Sequence, residues 1–241
     1  GSGKALAPIY VKAAMLARLN TLCLGKSGVH PSVIALMVTM INRDILPLIF
    51  EHGGVGASGD LVQLAHLSLT LIGEGEVFYK GQITPTAEVF KKEKLSPITV
   101  ELREGLALMN GTSVMTGIGI VNLIHARSLL DWSVKCSAAI NELVEAYDDH
   151  LSEQLNGAKK HLGQQKIAAQ MREHLKDSSL VKSRQEHLYE NQPKVSVFKE
   201  KVQEYYSLRC VPQVLGPVLD TLNNVEKILI EEVNSANDNP I

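Results

Sequence analysis

Cysteine is scarce in this sequence, neither sign of charge predominates, and no apolar run is long. Only Cys23, Cys136 and Cys210 occur. An odd number at wide spacing excludes a disulfide framework and a cysteine zinc site, and it fits reduced thiols. The formal net charge is −2 with acids and bases interspersed, which removes the electrostatic grip expected for nucleic acid or anionic lipid. The longest apolar stretch, Val33 to Ile41, is broken by Thr39 and is too short to span a bilayer. No basic-then-apolar leader opens the sequence, so a cytoplasmic protein with no membrane or nucleic-acid partner is expected. His150, His161, His174 and His187 lack metal-ligand spacing among themselves, and no metal is expected. His66 and His125 fall on apolar helical faces and read as structural.

What is present is helical periodicity. Hydrophobic residues make up 45% of the 241 and charged residues 21%, as in soluble globular proteins. A chain of this length buries roughly 70% of its unfolded surface. Met15, Leu16, Leu19, Leu22 and Cys23 form one stripe that ends near Gly25, and Pro31 suits the first turn of a buried helix running to Ile41. Val114, Ile118, Val121, His125, Leu129, Trp132, Cys136, Ile140, Leu143 and Tyr147 alternate by threes and fours. That pattern predicts a helix of about nine turns, long enough for a bundle. Val218, Leu222, Val225 and Leu229 carry a second long stripe, to Val233. Glu76 to Lys80 with Gly81 predicts a small hairpin, and 82–97 reads as an irregular excursion. The charged, weakly periodic segment 177–193 reads as exposed and open to motion. No composition shift marks a boundary, so 1–241 is expected to be a single mainly helical domain of all-α class. Gly1-Ser2-Gly3 and the closing Asp238-Asn239-Pro240-Ile241 look cut from a longer chain.

The most unusual local feature is Gly53-Gly54-Val55-Gly56-Ala57-Ser58-Gly59-Asp60. Gly54, Gly56 and Gly59 satisfy the dinucleotide fingerprint, the apolar Ile45 to Phe50 run precedes it, and Glu74 or Glu76 sits at a suitable offset for a ribose. Three features weaken that reading. Asp60 would oppose a pyrophosphate at a helix N-terminus, Pro47 interrupts the supposed strand, and no strand–helix–strand alternation follows. No nucleotide is expected. A second reading uses chemistry that only small residues permit. If the Gly59 amide nitrogen attacks the Ala57 carbonyl, Gly59 offers an unhindered nucleophile and Ala57 an uncrowded target. Loss of two waters, one involving the Ser58 hydroxyl, leaves an alkene conjugated to an imidazolone. Asp60 would then open a helix to Leu71, with its carboxylate at the positive end of the dipole.

Four ordered segments tip this balance. Gly54 to Leu61 (GVGASGDL), Glu104 to Thr112 (EGLALMNGT), Gln203 to Gln213 (QEYYSLRCVPQ) and Asn234 to Pro240 (NSANDNP) together resemble the signatures of the aromatic amino-acid ammonia-lyases, the histidine, tyrosine and phenylalanine enzymes. The resemblance implies a long-helix bundle of the ammonia-lyase (fumarase/aspartase-like) type with a few short loops or strands. It also implies a 4-methylidene-imidazol-5-one (MIO) formed from Ala57, Ser58 and Gly59. By the same resemblance Asn110 contacts the MIO and substrate amine, Arg209 holds the substrate carboxylate, Tyr206 and Gln203 order the site, and Leu61 lies beside the substrate ring. The implied reaction is loss of ammonia from L-tyrosine or L-histidine, giving p-coumarate or urocanate. Aminomutase chemistry on the same MIO is the alternative, and a catalytically incomplete helical assembly fragment is another. The stretches 50–56 and 205–217 look most like the tyrosine-directed branch, with histidine second.

The resemblance further implies homotetramers with shared active sites, and members about twice as long, whose catalytic-base tyrosine lies upstream of residue 1. This chain by itself is therefore expected to be inactive. The bland readings are local. Asn110-Gly111 is also a good turn pair, Arg209 can pair with Glu200 or Glu204, and Tyr206 can serve as amphipathic core.

Overall fold

A computed structural model describes residues 1–57, 59–190 and 201–238; Ser58, residues 191–200, and Asn239, Pro240 and Ile241 of the closing motif lie outside them. The expected all-α class holds: α-helices dominate the described residues, with five short strands between them. The chain forms two compact units, Gly1–Leu123 with Glu226–Ile241, and Ile124–Val225.

In the first unit, β1 (Ser2–Ala5) leads into α1 (Pro8–Cys23) and then α2 (Pro31–Asn42). Both helices start at proline, whose missing amide proton costs nothing in a first turn, and the His30 ring accepts from the Ser32 amide to cap α2. β2 (Leu46–Pro47) and β3 (Phe50–His52) precede the glycine-rich loop, and α3 (Leu61–Leu71) follows it. The expected hairpin is β4 (Glu76–Tyr79) with β5 (Gln82–Pro85). The excursion read at 82–97 is instead regular: β5 runs into α4 (Thr86–Glu93). Eight residues are too few to show a helical period; Pro85 precedes the first helical residue, and both the amide and the hydroxyl of Thr86 donate to the Gly75 carbonyl. α5 (Glu104–Met109) comes next, and α6 (Ser113–Leu143) begins here.

Both sheets are antiparallel, β1–β3 and β2–β4–β5, with Pro47 opposite Val77. The run before the glycines is thus two short antiparallel pieces, which overturns the dinucleotide reading, since that fold needs a parallel strand–helix–strand unit. Val11, Met15, Val33, Met37, Met40, Ile41, Ile45, Ile49, Leu67, Leu71, Val77 and Phe90 share one core. Each such side chain, fully buried, contributes roughly 1.5–3 kcal/mol.

The second unit holds the rest of α6, a 3₁₀ turn at Asp149–Leu151, α7 (Glu153–Gly157), α8 (Leu162–His174), one wide helical turn at Gln185–Glu190, and α9 (Tyr206–Arg209). α10 (Val211–Val233) starts seven residues before the expected stripe and contains Pro217. Both unit boundaries fall inside helices, α6 and α10, which is why no linker composition marks them. The apolar core is small: Leu130, Val134, Leu151, Ile167 and Met171. A buried polar network adds to it. Glu204 accepts the Tyr147 amide at 2.9 Å and pairs with Lys201 at 2.9 Å. His150 meets Asn141 at 3.1 Å, and Asn156 receives Gln164 at 3.1 Å while donating to the His150 carbonyl.

Two expectations change in this unit. The segment from Asp177 is anchored as far as Glu190: Lys182 exchanges backbone bonds with Ala146 and Asp148, and Leu188 is buried. Its last part, 191–193, lies outside the described residues. The long stripe of α6 also divides. Val114 and Val121 are buried as expected, but Leu129, Trp132, Cys136, Ile140 and Leu143 are exposed, Trp132 by 62% and Leu143 by 75%. Leu130, Val134, Ala138 and Asn141 face the core of this unit instead. Periodicity identifies an apolar face without saying what covers it. The helix itself ends at Leu143, four residues before Tyr147. Among the described residues α6 is also long and apolar enough to cross a membrane by length and composition, a test that core helices of soluble bundles pass too. The sequence reading missed it because the run is not continuous.

Candidate functional site

The glycine-rich loop is held at both ends and in the middle. The β1–β3 pair fixes its entry and α3 its exit. Between them Gly59 forms an isolated bridge to Gly111, and the Asp60 amide donates to the Gly111 carbonyl at 2.7 Å. Gly59 has φ +88°, and a Cβ there would lie 2.1 Å from the Gly111 oxygen, so no other residue fits without moving backbone. Ala57 is exposed beside it, and Ser58 lies outside the described residues.

Gly111 follows Asn110, which is buried at the end of α5 and donates from its amide to the Leu106 carbonyl at 2.8 Å. Neither residue is a free turn: Asn110 is extended and caps α5, while Gly111, at φ +134°, carries the bridge. The start of α5 is fixed by Glu104, whose carboxylate accepts the amides of His30 at 2.6 Å and Glu101 at 2.7 Å. Those amide donors, Glu101 first, hold its pKa below the usual carboxylate value. Leu61, half-buried, opens α3 two residues after Gly59.

Asp60 opens α3 as expected, its carbonyl accepting the Leu64 amide at 2.9 Å, but its carboxylate is used elsewhere. Its side chain makes no cap there and instead accepts the Met115 amide at 2.9 Å in the first turn of α6. Burial raises its pKa, opposed by the Met115 and Val114 amides. A first-turn amide of another helix is simply the better-placed donor.

The sequence reading missed the residues behind Gly111. Arg18 of α1 is 0% exposed and donates to Asp238 at 2.8 Å and to the Ala107 carbonyl. Burial lowers its pKa, and Asp238 counteracts that. A signal was present: Arg18 stands at the apolar spacing Ala14, Met15, Arg18, Leu22, where a charge needs a buried partner. Asp238 sits in the closing motif, but no role was assigned to it.

The remaining site residues belong to the second unit. Arg209 donates to Gln203 at 2.8 Å and its guanidinium lies 4.5 Å over the Tyr206 ring, so the three are brought together. Tyr206 is 73% exposed and is not core. Arg209 has taken a neutral partner, because Glu204 is engaged with Tyr147 and Lys201; Glu200 lies outside the described residues. A neutral partner and a stacked ring leave the cation available to a carboxylate. Tyr206, Cys210, Val214, Ser133 and Ser137 also line a groove of about 310 Å³. A larger cavity of about 900 Å³, lined by Asp148, Asp149, Arg172 and Arg184, contains none of the expected site residues.

The sequence profile described as aromatic amino acid lyase matches residues 1–241, and this chain belongs to that family. It is 41% identical over 247 residues to a tyrosine 2,3-aminomutase of Myxococcus sp. (strain Mx-B0), covering 100% of this chain and 47% of that protein. It is 40% identical to a histidine ammonia-lyase of Stigmatella aurantiaca, covering 100% of this chain and 45% of that one. The crystal structure of a tyrosine aminomutase from Streptomyces globisporus superposes with a TM-score of 0.90 at 36% identity, covering 100% of this chain and 46% of the other. The helical bundle expected from the sequence is therefore the family's own. The chain spans about half the length of these relatives.

Proposed function

We propose that the whole protein is an aromatic amino-acid ammonia-lyase, removing ammonia from L-tyrosine or L-histidine to give p-coumarate or urocanate. The observation that carries this reading is the clamp on Gly59. The residue whose nitrogen must attack is bent to φ +88° and pressed against Gly111 where only glycine fits. The residues therefore suit an MIO formed from Ala57, Ser58 and Gly59, which supplies an electrophilic alkene that makes the substrate nitrogen a better leaving group. Arg209, steadied by Gln203 and Tyr206, takes the substrate carboxylate and fixes the β-carbon for proton removal. Asn110 immediately precedes Gly111, its side-chain amide bonded to the Leu106 carbonyl through one proton; the other proton serves the MIO and substrate amine, and Leu61 borders the ring. Homotetramer formation covers the exposed stripe from Leu129 to Leu143, as an apolar patch of that kind calls for.

A second reading, MIO-dependent aminomutase, is favoured by the 41% identity to a protein of that name. Product analysis separates the two: incubation with tyrosine and with histidine should yield mainly unsaturated acid, read by ultraviolet absorbance, whereas a β-amino acid as main product would replace the first reading with the second. Intact mass tests both, since the wild type should lack two waters and Ser58→Ala should not. A fully hydrated wild type would leave only an assembly fragment. For the oligomer, Trp132→Glu should shift the sedimentation coefficient toward smaller species; an unchanged value would remove the tetramer argument.

A further inference from the structure

We infer that the buried Arg18–Asp238 pair is a positioning element for ring closure at Ala57, Ser58 and Gly59, an inference that rests on the reading above. The cluster is layered. The Arg18 guanidinium binds Asp238 at 2.8 Å and the Ala107 carbonyl at the end of α5. The same group occupies one side of Gly111: a Cβ on Gly111 would lie 2.5 Å from Arg18 Nη1 and 2.8 Å from Asn237 Oδ1. The other side of Gly111 presses on Gly59 and accepts the Asp60 amide. Guanidinium, Gly111 and Gly59 are thus three successive layers, and the loop cannot relax backwards while the pair is intact.

Stability alone is a weak reason for such a pair, because well-packed apolar side chains often replace buried ion pairs at no loss. Nor is the pair saturated as pure packing would have it. Arg18 Nε, Asp238 Oδ2 and both polar atoms of the Asn237 amide make no hydrogen bond among the described residues.

The chemistry explains what the bracing is for. The Gly59 nitrogen adds to the Ala57 carbonyl carbon, and its proton passes to the carbonyl oxygen. That hydroxyl leaves with the Ser58 amide proton as one water, forming the C=N bond. The Ser58 hydroxyl leaves with its α-proton as the second, forming the exocyclic alkene. No electrons are gained or lost. An unactivated amide is a poor nucleophile, so the reaction depends on being held near the attack geometry, where a displacement of about 1 Å costs on the order of 100-fold.

The test follows two-water loss by intact mass after cell-free synthesis of the whole protein, with thermal melting alongside. Arg18→Met and Asp238→Asn should each slow that loss on the order of 100-fold, and Arg18→Lys, which keeps the charge, should restore most of it. Val89→Ala, a core cavity in α4, should lower the melting temperature without slowing maturation. If Arg18→Met fails to fold, Asp238→Asn, which keeps the shape, decides. Folded Asp238→Asn maturing at the wild-type rate overturns the inference and leaves the proposed function standing. So does slowing that merely follows melting temperature across all variants. A wild type that never loses water overturns both.

Discussion

The two units hold their functional side chains by different means. In the first, a broad apolar core carries a loop fixed by backbone, with Gly59 against Gly111 and one buried ion pair behind them. In the second, five core side chains are supplemented by a polar network around Tyr147, Glu204 and His150, and Arg209 and Tyr206 stand near the surface. The proposed ring closure would demand one backbone shape, which close packing imposes. Carboxylate binding, as proposed for Arg209, would demand an accessible charge, which a short helix on a hydrogen-bonded base can present. Rigidity and access are thereby divided between two parts of one chain.

The largest way to break this division is Gly59→Ala. The added carbon meets the Gly111 carbonyl in a left-handed conformation, so a local penalty above about 3 kcal/mol is expected, with the two-water mass deficit abolished. Next is Glu204→Ala, which strands the buried Tyr147 amide and frees Lys201. Chemical denaturation should show a loss of about 2–3 kcal/mol, and substrate binding should weaken because Gln203 immediately precedes Glu204 and Arg209 lies one short helix further on. Arg209→Lys replaces a planar fork stacked on Tyr206 by a point charge. It should raise KM about tenfold or more with maturation unchanged, and an unaltered KM would remove Arg209 from carboxylate binding.

The smallest effect is graded by pH. Burial holds the His150 pKa below its ordinary value, so its stabilising contribution is complete above about pH 6.5 and is lost as pH falls from there. Glu104, held below its ordinary value by the Glu101 and His30 amides, contributes fully above about pH 4.3 and loses that contribution as pH falls through its folded pKa. Burial lowers the His66 pKa in the first unit as well, so the contrast is local: hydrogen exchange should show amides beside His150 loosening at mildly acid pH and those beside Glu104 only below about pH 4. The reverse order would remove both assignments.

Much of this was legible in the sequence. The end of α1, the start of α2, the hairpin, the length of α6 and the glycine loop all follow from periodicity, proline and small residues, because each depends on neighbours in the chain. What was not legible depends on distant partners. The Asp60 carboxylate was expected at the start of its own helix and reaches α6 instead. The α6 stripe marked an apolar face but not its covering. α4, at eight residues, is too short to carry a stripe. Arg18 was given no role, since its partner lies 220 positions away.

That separation carries a consequence for synthesis. A ribosome delivers the chain from its N-terminus at about 5–20 residues per second, so α1 emerges long before Asp238 exists. Until then a guanidinium sits in a half-built interior with no counter-charge, and the nascent intermediate must keep that side of α1 hydrated. Closure of the first unit is thus a late event in biogenesis, and a stalled or shortened product would be a natural target for chaperones and proteases.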